Sequence, residues 1–173
     1  MKVIILLMLA MMCSACAKDH NIPSASLSYA SVVRNTSKIT YGISFGSDTN
    51  ILDLYGQGMR EGASSTIFNC ALGADQDFSK GHSIQLTAIG AIDVDESNRA
   101  AGRFNYVSNV FLYETNDRGS LARNLSIKEL NSLLSDKKNI PCKVVITAYG
   151  YKPYYSNTLN IPTADLLREI NKP

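Results

Sequence analysis

Strict alternation of apolar and polar positions marks several stretches of the chain. Ile39, Tyr41, Ile43 and Phe45 alternate with Lys38, Thr40, Gly42 and Ser44, and Ile84, Leu86 and Ala88 alternate with Ser83, Gln85 and Thr87. A period of two places one set of side chains on a core face and the other toward water, so both stretches are expected to be half-buried strands. Phe104, Tyr106, Val110 and Leu112 form a third such face, and Leu27, Tyr29 and Val33 a fourth. Phe68, Cys70 and Leu72 share a face in TIFNCAL, as do Cys142, Val144 and Ile146 in CKVVITA. Residues 142–149 and 154–161, joined through Gly150-Tyr151-Lys152-Pro153, predict a terminal hairpin.

Helical spacing occurs twice. Ser126-Ile127-Lys128-Glu129 has the form of a capping box, with Leu125 and Leu130 in the flanking apolar positions. It predicts a helix from Ser126 to Asp136 that buries Ile127, Leu130 and Leu134. Near the C-terminus Thr163 is expected to cap a short helix with Asp165 in its first turn and Leu166, Leu167 and Ile170 inward. About seven short strands with so few helices predict a mainly β fold. The expected architecture is a two-layer β-sandwich-like or β-rich α+β domain with a crossover helix and a short C-terminal helix.

The first 16 residues fit neither pattern. Lys2 precedes an unbroken apolar run from Val3 to Met12, too short to cross a bilayer but of the length of a signal-peptide core. Four of the five methionines, Met1, Met8, Met11 and Met12, lie here and only Met59 follows, so leader and body differ in composition. The run closes on Cys13-Ser14-Ala15-Cys16. Ser14, Ala15 and Cys16 resemble the lipobox of bacterial lipoproteins, in which small residues precede a cysteine that becomes diacylated. Cys13 stands where that motif usually has leucine.

The resemblance is confined to this segment, and it implies a division of the chain. Residues 1–15 are expected to be a signal peptide, 16–26 a lipid anchor and polar tether, and 27–173 a single β-rich periplasmic domain. Lipid on Cys16 makes the membrane a partner, since each acyl CH₂ buried contributes about 0.8 kcal/mol. Ala17 and Lys18 follow the cysteine, without the aspartate that retains lipoproteins of enteric bacteria in the inner membrane. The resemblance therefore implies the outer membrane, with the domain facing the periplasm. Cleavage before Cys16 also discards Cys13, so the apparent C-x-x-C pair is expected to be neither a redox centre nor a metal site.

Cys70 and Cys142 then remain, both in expected strands and both pointing inward. In an oxidising compartment a Cys70–Cys142 disulfide is the preferred reading; two separate buried thiols are the alternative. Across 173 residues, 17 basic and 15 acidic side chains give a net charge of +2 with no concentration of either sign. That balance offers no footprint for nucleic acid.

Candidate chemistry is sparse. Gly56, Gly58 and Gly62 have the wrong spacing for a dinucleotide fingerprint and belong to a glycine-rich stretch, 46–65, expected to be a functional or mobile loop. Asp93, Asp95 and Glu96 lack the turn glycine and the bidentate glutamate of a calcium loop. His20 falls in the tether and His82 opens a strand, which leaves no evident base beside a nucleophile. No catalytic residue, metal or cofactor is therefore expected.

Tyr149, Tyr151, Tyr154 and Tyr155 crowd around a turn, and tyrosine combines apolar area with a polar tip at low entropic cost. These four are the candidate partner-binding residues; shielding of a sheet edge is the structural alternative. The expectation for function is a lipid-anchored, non-catalytic binding or assembly module of a cell-envelope apparatus, of secretion, pilus or conjugation type, with an envelope protein as partner. The alternatives are a periplasmic inhibitor or immunity protein and, more remotely, an enzyme acting on cell-wall glycans.

Overall fold

A computed structural model describes residues 17–19, 21–37, 39–55, 63–79, 81–96, 103–115 and 120–173. Cys13, Cys16, His20, Gly56, Gly58 and Gly62 lie outside the described residues, and with them the expected lipid attachment point. The chain forms β1 (Leu27–Arg34), β2 (Tyr41–Ser47), a 3-10 turn (Ile51–Asp53), β3 (Ala63–Ala71), β4 (Leu86–Val94), β5 (Phe104–Thr115) and β6 (Leu121–Asn124). There follow α1 (Ile127–Leu134), β7 (Asn139–Ala148), β8 (Tyr154–Tyr155), β9 (Leu159–Pro162) and α2 (Thr163–Ile170). The fold is mainly β: one nine-stranded antiparallel sheet ordered β1-β2-β5-β4-β3-β7-β8, with β6 on β5, β9 on β7, and two short helices.

This one sheet supplies both layers of the core. Two strands, β5 and β4, separate β2 from β3 in the sheet order, yet Phe45 of β2 stacks on Phe68 of β3 with ring centroids 4.9 Å apart. The rings meet because the sheet twists and folds over on itself. Its two margins consequently approach one another: β1 lies beside β9, and the Asn157 N–H donates to the Ala25 carbonyl at 2.9 Å. Ile43, Phe45, Phe68, Tyr106, Val110, Val144 and Ile146 fill the interior between the layers, each at most 2% exposed.

Cys70 and Cys142 are direct cross-strand partners on β3 and β7 and form a disulfide across 72 positions of sequence. Both are core residues, as their period-two faces predict. Closing a loop of that length contributes about 4 kcal/mol if the effect is on the entropy of the unfolded chain.

Local irregularities account for the residues that depart from expectation. In β1 the pairing shifts between Tyr29 and Ser31, and one extra residue reverses the alternation beyond it. Val32 is thus buried at 3% exposure, and Val33, expected inside, is 54% exposed. Ile39 precedes β2 instead of joining it and is also exposed. The terminal hairpin forms, but its return strand is broken into β8 and β9. Ser156 fills the break: its N–H donates to the Val144 carbonyl at 3.0 Å, and its Oγ accepts from the Val144 N–H at 2.9 Å.

The helices sit at the end of the sheet where β1 finishes and β7 begins. α1 is the crossover from β6, beside β5, to β7, beside β3. Its capping box is complete: the Glu129 N–H donates to Ser126 Oγ at 3.3 Å and the Ser126 N–H to Glu129 Oε2 at 2.9 Å. Leu130 and Leu134 are buried as expected; Ile127 borders an open cleft with Ile39 and Tyr41 and stays exposed. Thr163 is the first helical residue of α2 and not its cap, because the chain passes from β9 through Pro162 straight into the helix. α2 binds β1 through Tyr29 Oη, which donates to Asp165 Oδ2 at 2.9 Å, and through the Arg34 N–H, which donates to Glu169 Oε2 at 3.0 Å.

Candidate functional site

The β7–β8 hairpin separates the four candidate tyrosines into three environments. Gly150, at φ +77°, makes the turn between the strands, a conformation that disfavours any residue with a Cβ. Tyr149 beside it is 90% exposed. Tyr151 is 40% exposed and packs edge-on against Tyr55, 5.5 Å between centroids. Tyr155 is half-buried on the outer face of the sheet.

Tyr154 is a correction to the expected contact surface. It is fully buried, because it pairs with Ile146 and follows the inward face of β7. Its hydroxyl accepts the Ala25 N–H at 2.6 Å and donates to the Pro23 carbonyl at 3.2 Å. Burial pushes the phenol pKa up, so the group stays a neutral donor and acceptor. Tyr154 works inward, fastening the chain that precedes β1.

That preceding segment, expected as a tether, lies against the fold over its described residues. Ala25 is 1% exposed, Ile22 packs on the core, and the Ser26 N–H donates to Asp48 Oδ1 at 2.9 Å. The same backbone bond holds the Asp48 carboxyl below the usual carboxylate range. Further toward the N-terminus Lys18 forms a parallel bridge with Tyr151. The Lys18 N–H donates to the Gly150 carbonyl at 2.8 Å, and the Lys152 N–H donates to the Lys18 carbonyl at 2.9 Å. Lys152 Nζ pairs with Asp19 at 2.8 Å.

Toward the other end of β7 lies an open cleft of about 500 Å³, bordered by Asp77, Phe78, Pro141, Lys143, Tyr155 and Thr158. Alternation along β7 turns Lys143 outward because its neighbours Cys142 and Val144 turn inward. The opposite wall is the segment after β3, folded by successive Asp turns. Asp75 Oδ1 accepts the Asp77 N–H at 3.1 Å and Asp77 Oδ1 accepts the Ser79 N–H at 2.8 Å. Lys143 Nζ lies 5.8 Å from the centroid of the Phe78 ring. Burial, reinforced by the Asp77 charge, raises the Tyr155 phenol pKa. Sequence reasoning found Tyr155 but missed Phe78 and Lys143, which β3–β7 pairing brings together from positions 65 residues apart. The Asp75-Gln76-Asp77-Phe78-Ser79 turn signature was the available signal.

Among the described residues, one imidazole and two serine motifs call for a check against catalytic geometry. His82 Nε2 and Asp75 Oδ2 are 2.6 Å apart, each about two-fifths exposed. Their bond raises the histidine pKa and lowers that of the aspartate. No hydroxyl or thiol is hydrogen-bonded to that imidazole among the described residues. Gly42-Ile43-Ser44-Phe45-Gly46 has the letters of G-x-S-x-G but lies wholly within β2, with Ser44 paired to β1 and β5. A nucleophile elbow needs a strand-to-helix turn at the serine, which this is not. Ser135 and Lys138 have S-x-x-K spacing across the end of α1, where Ser135 Oγ donates to the Ser132 carbonyl at 3.3 Å. Among the described residues no group of three or more His, Cys, Asp or Glu is placed to hold a metal. None of the described helices is long and apolar enough to cross a membrane.

Comparison of the chain with protein-family models, with curated proteins and with solved structures finds no match.

Proposed function

We propose that the protein is a lipid-anchored binding module of a bacterial cell-envelope apparatus, joined to the outer membrane through Cys16 and acting in the periplasm without catalysis. Its partner is an envelope protein of a secretion, pilus or conjugation assembly. The observation that carries the reading is the cleft on the outer face of β7. It combines apolar ring surface from Phe78 and Tyr155 with the Lys143 ammonium, which faces an aromatic ring and forms no ion pair with a carboxylate among the described residues. Asp77 at the rim is committed to its own turn through Ser79. A partner segment that sets an apolar side chain between the rings and a carboxylate against Lys143 complements it. Aromatic anchors beside one unpaired charge are the pattern in which a few residues dominate binding.

Two experiments test the proposal. Mass spectrometry of the protein from native membranes should find acyl groups on an N-terminal Cys16, and Cys16→Ser should move the protein to the soluble fraction. An unmodified, soluble wild type overturns the anchor. A photo-reactive amino acid at Tyr155 should cross-link an envelope component, and Lys143→Glu should abolish the product. Cross-linking to a soluble toxin or enzyme instead overturns the assembly reading in favour of an inhibitor or immunity protein.

A further inference from the structure

Residues 17–19 do not lead away from the domain; they run alongside the tip of the β7–β8 hairpin. Lys18 is bridged to Tyr151, and Cys16 lies two residues before Lys18 in sequence. Two residues of chain span at most about 7 Å, so the backbone point of attachment at Cys16 falls within that reach of the bridge. The side chains at this tip are Tyr149, the most exposed large apolar residue of the described chain at 90%, and Tyr151, at 40%.

From this placement, and resting on the reading that Cys16 carries lipid, we infer that the tyrosine turn is a second, non-covalent contact with the bilayer, with Tyr149 and Tyr151 seated at the headgroup level. Tyrosine is enriched at membrane–water interfaces because its ring favours the apolar side and its hydroxyl the wet side. A neutral turn of two tyrosines and a glycine, held that close to an acyl anchor, is placed to meet the polar boundary of the bilayer. Charge plays the smaller part: Lys152 is paired with Asp19, which leaves Lys18 to favour anionic headgroups. Tyr149 and Tyr151 are thereby withdrawn from the partner surface, which falls to the cleft. Lys143 lies six positions before Tyr149 along the extended chain of β7, which carries the cleft up to about 20 Å from the lipid contact. A covalent anchor alone would leave the domain free to roll on the membrane. A second contact fixes its bearing and presents the cleft outward.

The chain contains no tryptophan, so one introduced at the tip reports without background. Tyr149→Trp keeps an aromatic ring at an exposed position, and Ile127→Trp, on the exposed side of α1, is the control. Both full-length proteins, purified with their native modification, are reconstituted into vesicles of phosphatidylethanolamine and phosphatidylglycerol, with and without lipids brominated near the headgroup. The expected result is a blue shift and strong quenching by brominated lipid at position 149, with neither at 127. If the protein carries acyl groups and floats with the vesicles while the emission of residue 149 stays that of a water-exposed indole, the inference is overturned and the anchor stands. If it neither carries lipid nor floats, both fall. A blue shift that needs a protein partner and no lipid also overturns the inference, returning the turn to the partner surface.

Discussion

Tyr154→Phe removes one oxygen from the core and leaves the ring that fills it. In the native fold that oxygen accepts the Ala25 N–H at 2.6 Å and donates to the Pro23 carbonyl at 3.2 Å, with Tyr154 fully buried and Ala25 1% exposed. Two neutral hydrogen bonds contribute about 0.5–1.5 kcal/mol each in net terms, and a buried N–H left without an acceptor costs about 1–3 kcal/mol. The orphaned Ala25 N–H dominates, because no water replaces the lost oxygen at a site that stays closed. The segment can relieve that cost by lifting away from the sheet. Its other attachments include the Asn157 bond to the Ala25 carbonyl, the bonds between Ser26 and Asp48, the packing of Ile22 and, further along, the bonds of Lys18 to the hairpin tip. Local opening therefore sets the upper limit on the loss of global stability.

Hydrogen exchange read amide by amide separates these outcomes. In Tyr154→Phe the Ala25 and Ser26 amides should exchange about 5- to 150-fold faster, the range that 1–3 kcal/mol implies. The Val144 and Cys142 amides of β7 should keep their protection. Tyr155→Phe, which alters only the outer cleft, should leave the segment unchanged. Unaltered exchange at residues 25 and 26 in Tyr154→Phe, with global stability within about 0.5 kcal/mol of wild type, would refute the clamp.

Three further outcomes follow from the fold. The double variant Cys70→Ala, Cys142→Ala should lose about 4 kcal/mol in urea unfolding and show a larger m-value, because its unfolded chain is no longer cross-linked; a loss under about 1 kcal/mol would reject the entropic account. A Cβ on Gly90 would run into the Asn109 carbonyl oxygen, which is backbone and cannot swing aside, whereas at Gly42 the nearest atom is 3.4 Å away. Gly90→Ala should therefore cost about 1–3 kcal/mol by denaturant titration, and Gly42→Ala should be the milder of the two. Glu129, bonded to Arg123 and Ser126, has its pKa lowered from 4.5 to about 2, so its contribution is present above pH 4.5 and is lost as pH falls through 2. The Tm gap between wild type and Glu129→Gln should be full at pH 7 and close between those limits; a gap that persists at pH 2 contradicts this sign.

What the sequence disclosed depended on how local the governing interaction was. The capping box of α1 was legible because Ser126 and Glu129 are three residues apart and complete each other. The inward cysteines were legible because period two holds in β3 and β7 without a bulge near either. Val33 was misplaced by one inserted residue in β1, an irregularity whose cause lies in the pairing with β2 and not in the letters LSYASVVR. Thr163 has the composition of a cap, but a strand ending in Pro162 leaves no residue to take that place. Tyr154 and Tyr155 are adjacent and chemically identical, and the pleat alone assigns one to the core and the other to the cleft.

The site is the extreme case of this dependence. Phe78 reaches Lys143 only through β3–β7 pairing, and Lys18 reaches Tyr151 only because the sheet closes far enough to bring its two margins together. Composition singled out tyrosine as the candidate binding side chain, and topology then places those tyrosines in three environments. The curl of the sheet is set by its twist, by the bulge in β1 and by the close approach of Gly90 to Asn109. A change that flattens it should therefore part the N-terminal segment from the hairpin tip before it disturbs the cleft, which is built on β3 and β7 and secured by the disulfide. If the hairpin carries both proposed contacts, the membrane contact at its tip and the partner contact at its cleft should be separable by mutation.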